Sequence, residues 1–127
     1  MKTLTIKQPW ASLIVNNFKM YEFRSWKTNY RGKILIHAGL SIEKNNLNKF
    51  KDYNLDIITG AIIGEAELID CILVDKTFND LLLKLDNVVY GNSFHINNYA
   101  WKLINIKKYD KPIYIKGKLG LWNYEVK

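Results

Sequence analysis

The chain has 127 residues, 48% of them hydrophobic and 24% charged, with 19 Lys and Arg against 12 Asp and Glu, for a formal net charge of +7 and a pI near 9.4. Such a length buries a core without staples, and the balance is that of one globular domain over residues 1–127. A single cysteine, Cys71 in the apolar run Asp70–Val74, excludes an intrachain disulfide framework and a cysteine-rich zinc site, and no apolar run is long enough to span a bilayer.

A first strand is expected over 2–7, with Leu4 and Ile6 inward. Lys7 and Gln8 interrupt the run before a signal-peptide core forms, so a cytoplasmic location is expected. Pro9 opens a short helix in which Trp10, Leu13 and Ile14 share a face, ending near Asn16 and Asn17. A strand over 20–26 puts Met20, Glu22, Arg24 and Trp26 on one face and Tyr21, Phe23 and Ser25 on the other. A loop over 27–32 leads to a strand over 33–38. Ser41 is placed to cap a surface helix over 42–51, with Glu43 in its first turn and Ile42, Leu47 and Phe50 as its few apolar positions.

Residues 60–74 read as a long central strand, with Ile62, Gly64, Ala66 and Leu68 on one face and Glu65 and Glu67 on the other. Asp75 introduces an amphipathic helix with Phe78, Leu81, Leu82 and Leu85 on its apolar side. Residues 86–98 are expected to be a polar, mobile connection. Strands follow over 99–106, with Tyr99, Trp101 and Leu103 on one face, and separately over 111–115, where Pro112 stands near the start. Several strands with few, short helices predict an α+β domain with a curved sheet or small open barrel. Regular β-α alternation and a G-x-x-x-x-G-K-[ST] loop are both missing, which argues against a doubly wound nucleotide-binding fold.

The excess positive charge favours a polyanionic partner, nucleic acid above all, although the lysines are spread along the chain. Glu22, Arg24 and Trp26, with Lys19 at the preceding bend, either form a solvated face with an ion pair or line a pocket. Lys19 and Glu22, with Glu65 or Glu67, have the composition of an acid–base pair, though Glu65 and Glu67 also suit a solvated strand face. Trp26, Tyr99 and Trp101 are candidate stacking surfaces for a base, while Trp10 and Trp122 are assigned to packing. His37 and His95 are read as structural, Ser12 and Ser25 as parts of local structure, and neither a metal nor a cofactor is expected.

The runs L-T-I-K-Q-P-W-A-S-L-I-V, K-x-x-E-x-R-S-W and Y-R-G-K-I-L-I-H-A, followed by G-E-A-E-L-I-D-C, Y-A-W-K-L and K-G-K-L-G-L-W-N-Y, resemble the ASCH domain across essentially the whole chain. The resemblance implies a small PUA-like β-barrel with flanking short helices and a cleft between the first helix and the barrel. That cleft is expected to bind nucleic acid, RNA rather than DNA, between walls carrying Gln8, Lys19, Glu22, Arg24, Trp26, Trp101 and Lys118. Some relatives are amidohydrolases acting on N4-acetylcytidine through a K-x-x-T pair, and one is a reported ribonuclease. Here Glu22 stands where that pattern has threonine, so amidase action by that route is not expected and the resemblance suggests a recognition module. Two rivals follow: a hydrolase of a modified nucleoside or RNA with Lys19 and Glu22 as its catalytic pair, and a protein-interaction module with a structural ion pair in the cleft.

Overall fold

The computed structural model describes residues 1–91 and 95–125. Six strands form one mixed sheet: β1 (Lys2–Gln8), β2 (Tyr21–Arg24), β3 (Gly32–Ile42), β4 (Ala61–Leu73), β5 (Tyr99–Tyr114) and β6 (Leu121–Asn123). The helices are α1 (Trp10–Val15), α2 (Lys44–Lys49), α3 (Lys76–Leu85) and α4 (Asn87–Tyr90). Strand order is β2-β5-β4-β3-β1-β6, with β1 parallel to β3 and every other pairing antiparallel.

The α+β class is as expected, and the expected barrel is an open sheet. No ladder joins the edge strands β2 and β6 among the described residues. The edges instead approach through side chains. Arg24 of β2 donates from Nη2 to Thr5 O in β1 at 2.6 Å, and the Trp26 ring lies against Gly120, just before β6. The sheet therefore curls around a core of Leu4, Ile6, Ile34, Ile36, Ala66, Leu68, Trp101 and Leu103, closed on one side by Ala11, Ile14 and Val15 of α1.

Close seating of α1 depends on Gly64. A Cβ there would stand 2.6 Å from Lys107 O and 2.8 Å from Val15 Cγ1, so only glycine lets the helix lie this near β4. A second core, built from Leu13, Tyr21, Phe50, Val74, Leu82, Val89 and Tyr90, packs α3 and α4 onto β2 and the adjoining part of β5.

Several local expectations are revised. Ser41 does not cap a helix, because β3 continues through it to Ile42 and Glu43 takes the cap position of α2. The two strands expected over 99–106 and 111–115 are one strand, β5, kept continuous by irregular pairing with β4. Asn105 adopts φ 51° where Ala66 faces two β5 residues between the Glu67–Ile104 and Glu65–Lys107 pairs. Pro112 falls in the unpaired stretch between the Gly64–Lys108 and Ile62–Ile113 pairs, where a missing N–H costs no ladder bond. Asp75 caps α3 as expected, accepting from Phe78 N at 2.8 Å. Leu82 alone is buried on that helix, whereas Leu81 and Leu85 are both 57% exposed. The polar connection begins as α4, capped by Asp86, and its residues 92–94 lie outside the described residues.

Candidate functional site

A cleft of about 540 Å³ opens between α1, the start of α2, edge strand β2 and the segment before β6. At its floor stand three charged side chains in a row. Lys19 Nζ donates to Glu22 Oε1 at 2.9 Å, and Arg24 Nη2 lies 3.2 Å from Glu22 Oε2. Lys19 is only 4% exposed and Glu22 8%.

Sequence explains this local order directly. The backbone after α1 turns at Asn17, with φ 66°, and Phe18 N and Lys19 N both bond to Leu13 O, which aims Lys19 back over the first residues of β2. Alternation along β2 then places Glu22 and Arg24 on the same face. Glu22 pairs with Trp101 across the β2–β5 ladder, so the fully buried indole sits next to the carboxylate on the neighbouring strand.

Aromatic walls hold the cationic floor. Lys19 Nζ is 5.5 Å from the Trp10 ring centroid and 5.1 Å from that of Phe23, a cation–π contact on each side. Phe23 stacks on His95 with centroids 3.7 Å apart and planes inclined by 13°. Trp10 Nε1 donates to Glu43 Oε2 at 3.0 Å, and Asn46 Nδ2 to the same oxygen at 2.8 Å, fixing the wall on the α2 side.

Burial sets the electrostatics. Desolvation lowers the Lys19 pKa from its ordinary value, outweighing the opposing pull of Glu22. Desolvation pushes Glu22 upward, but Lys19 and Arg24 together hold its carboxyl below the usual range. His95 is also lowered, first by burial and then by the Lys19 charge. Arg24 Nε is buried with no hydrogen-bond partner among the described residues, so the guanidinium retains an unused donor.

Of the residues expected from sequence, Lys19, Glu22 and Arg24 line the cleft together. Trp101 is fully buried and packs edge-to-face under Trp26, with ring centroids 4.8 Å apart, so it backs Trp26 and offers no face for stacking. Trp26 keeps an exposed portion beside Gly120. Gln8 is fully buried behind the site. Its Oε1 accepts from Ser12 N and its Nε2 donates to Ile58 O, which secures the start of α1. Lys118 is exposed, and its carbonyl accepts from Thr5 Oγ1 next to the lining residues Leu119 and Gly120. Glu65 and Glu67 lie elsewhere. Glu65 bonds Lys33 and Tyr109, and Glu67 accepts from Asn105.

Sequence reading missed Thr5, Lys7, Trp10, Phe23, Glu43 and His95 as lining residues. Phe23 was placed on the buried face of its strand. Because β2 is an edge strand, residues from both of its faces border the opening. Nothing in the local sequence ties Trp10 to Glu43 or Phe23 to His95, which are 33 and 72 positions apart respectively.

A curled mixed sheet with a cation–carboxylate row in an aromatic-walled cleft makes this a small α+β domain. A model of the ASCH domain matches residues 4–113, and the chain belongs to the ASCH domain family. It is 35% identical to human (Homo sapiens) activating signal cointegrator 1 over 89 aligned residues, and 33% identical to the mouse (Mus musculus) protein over the same length. Each alignment takes in 61% of this chain but only 15% of the relative, so the likeness concerns one part of much longer proteins. Among solved structures, the crystal structure of ASCH from Zymomonas mobilis superposes with a TM-score of 0.57 at 17% identity, covering 89% of this chain and 72% of that one. The S128A mutant of the same Zymomonas mobilis protein superposes with a TM-score of 0.57 at 17% identity, covering 90% and 73%. At that identity the match speaks for the fold. The family is PUA-like and is often linked to RNA binding.

Proposed function

We propose that the cleft binds nucleic acid, RNA in preference to DNA, through the Lys19–Glu22–Arg24 floor. The observation that carries this reading is the burial of Lys19 against Glu22, with the half-buried Arg24 on the other side of the carboxylate, at the bottom of an open cleft walled by Trp10, Phe23 and His95. Burying Lys19 and Glu22 costs several kcal/mol per ion before pairing, a cost a simple core does not need. The arrangement leaves a net positive floor between flat rings, which suits a base with a carbonyl edge and a nearby phosphate. Lys19, held deep between the rings, would donate to a base edge. Arg24 would take a base edge or a phosphate, Glu22 would orient both cations, and Trp26 would stack at the margin. Lys118 and Lys7, both exposed beside the opening, would meet phosphates. The overall charge of +7 supports the same partner.

The test is fluorescence anisotropy of labelled single-stranded RNA and duplex DNA with wild type and Arg24→Ala, at low and near-physiological salt. RNA binding that survives the higher salt and weakens at least about tenfold in Arg24→Ala supports the reading. Binding that vanishes with salt, or ignores the substitution, overturns it.

One observation favours a second reading. The lowered Lys19 pKa beside a carboxylate is the pattern of an acid–base pair, and a hydrolase of a modified nucleoside would use it. Against this, both Glu22 oxygens already face cations, and the pair holds that carboxyl deprotonated. Product formation from a modified nucleoside that is lost in Glu22→Gln, with the fold intact, would favour the hydrolase.

A further inference from the structure

Leu119 is 97% exposed and Leu40 is 81% exposed, the two largest exposures among the exposed large hydrophobic residues described, and both line the same cleft. Single exposed leucines are ordinary on a protein surface. Two of them at the mouth of a charged cleft, with Lys7, Lys116 and Lys118 exposed close by in the sequence or on the intervening strand, form a defined pattern. Leu40 lies at the end of β3 and Leu119 just before β6, with β1 and its Lys7 between them in the sheet order. They therefore belong to one rim.

The segment that carries Leu119 is fastened from beneath. His37, buried under it, bonds Ile115 O through Nε2 at 2.8 Å. Thr5 Oγ1 donates to Lys118 O at 2.9 Å and accepts from Trp122 Nε1 at 3.0 Å. Gly117 lies so close to His37 that a Cβ would collide with its ring at Cε1 and Nδ1. Gly120, at φ 68°, then turns the chain into β6. Backbone anchored on both sides of an uncovered leucine holds that side chain out at little entropic cost on binding.

We propose that Leu119, with Leu40 across β1 on the same rim, is an apolar wedge that fills the stacking place vacated by a nucleotide turned into the cleft. The ligand is then a base-paired RNA presenting one everted nucleotide. This deepens the RNA reading above and rests on it. Apolar side chains inserted at a base step are a general means of holding nucleic acid unstacked, and an unpaired or bulged nucleotide lowers the energy of eversion. The surrounding lysines match the phosphates on either side of the everted position, which favours RNA over an apolar protein surface as the occupant.

The test compares an RNA stem carrying one bulged nucleotide with a single strand of the same length, using wild type and Leu119→Ala. 2-Aminopurine placed next to the bulge reports unstacking. Wild type is expected to prefer the bulged stem at least tenfold and to brighten the probe, and Leu119→Ala is expected to reduce the preference to under twofold and abolish the brightening. Equal wild-type affinity for both RNAs without brightening, or an unchanged preference in Leu119→Ala, overturns the wedge and leaves the RNA reading standing. Wild type that binds neither RNA overturns both. Binding to phosphatidylserine vesicles that depends on Leu119, in place of the RNA effect, also overturns the wedge and assigns the leucine to a lipid surface.

Discussion

The molecule carries two clusters of nearly the same chemistry in different settings. At the cleft floor, Glu22 lies between Lys19 and Arg24 and almost no water reaches it. On the other face of the sheet, Glu65 lies between Lys33, at 3.0 Å, and the Tyr109 hydroxyl, at 2.9 Å, but Lys33 is largely exposed. Carboxylate, cation and aromatic ring are present in both. Burial separates them, because the same ion pair that water screens on the outer face acts in the cleft with little screening and has no solvent to fall back on.

The sharpest way to break that comparison is to remove the central carboxylate of each cluster. Glu22→Ala leaves the buried Lys19 and the half-buried Arg24 without their shared counter-charge, and it is expected to destabilise the fold by about 3 kcal/mol or more, measured by urea unfolding. Glu65→Ala, under the same conditions, is expected to cost under about 1 kcal/mol. Equal losses at the two sites would mean that the cleft floor is as wet as the outer face.

Acid sharpens the contrast further. Glu22 has a folded pKa below its unfolded value, so between the two values the unfolded chain binds the extra proton. Its contribution is present above the unfolded carboxylate range and is lost as pH falls through the lower folded pKa. Lys19, also lowered, works in the same direction at alkaline pH: the unfolded chain holds more protons, and stability rises with pH up to the ordinary lysine value of 10.5. Unfolding curves of wild type and Glu22→Gln from pH 7 downward should therefore converge as the medium becomes more acidic. A constant gap would assign the Glu22 effect to packing.

How much of this contrast the sequence disclosed depends on distance along the chain. Lys19, Glu22 and Arg24 are within five positions, and strand alternation alone put Glu22 and Arg24 on one face. The many strands and few short helices set the α+β class, and the family motifs then added the expectation of a cleft. The walls were hidden, because Trp10 meets Glu43, and Phe23 meets His95, only through tertiary packing. Trp101 was misread as a platform for the converse reason: alternation gives the face of a residue, and the curl of the sheet decides whether that face is open. Gln8, too, looked like a wall residue, and the position of α1 turned it inward as that helix's anchor. The single β5 strand was illegible at Asn105 and Pro112, where residues that ordinarily end a strand are accommodated by bulged pairing.

His95 tests whether the wall shares the dry character of the floor. Its folded pKa lies below the ordinary histidine value of 6.5, from burial first and the neighbouring Lys19 charge second. The unfolded chain therefore takes up a proton more readily as pH drops through that region, and stability falls with it. Replacing His95 by Phe, which keeps a ring against Phe23, should flatten the profile between about pH 7 and pH 5 while leaving the carboxylate step at lower pH. The expected effect is smaller than that of Glu22→Ala, since folding only disfavours the His95 proton, whereas that substitution removes the carboxylate shared by Lys19 and Arg24. An NMR titration of the His95 ring that gives an ordinary or raised value would show that water reaches the wall.

The smallest effect is expected on the outer face, where it is also the most diagnostic. Tyr109 is pushed up to about 12, by burial and by the hydrogen bond to Glu65. A phenol that donates to a carboxylate resists ionisation, because losing its proton sets two negative charges side by side. In Glu65→Gln the hydrogen bond can persist while the charge is gone, so the Tyr109 titration should move back toward the ordinary tyrosine value of 10.0. Stability at neutral pH should change by less than about 1 kcal/mol, since the Lys33 partner is free to return to water. RNA affinity at near-physiological salt should stay within about twofold, because these groups lie away from the cleft and exposed charges are screened beyond roughly 8 Å. A large loss of RNA affinity in Glu65→Gln would instead make the outer face part of the binding surface, and the contrast between a dry, functional cluster and a wet, structural one would no longer hold.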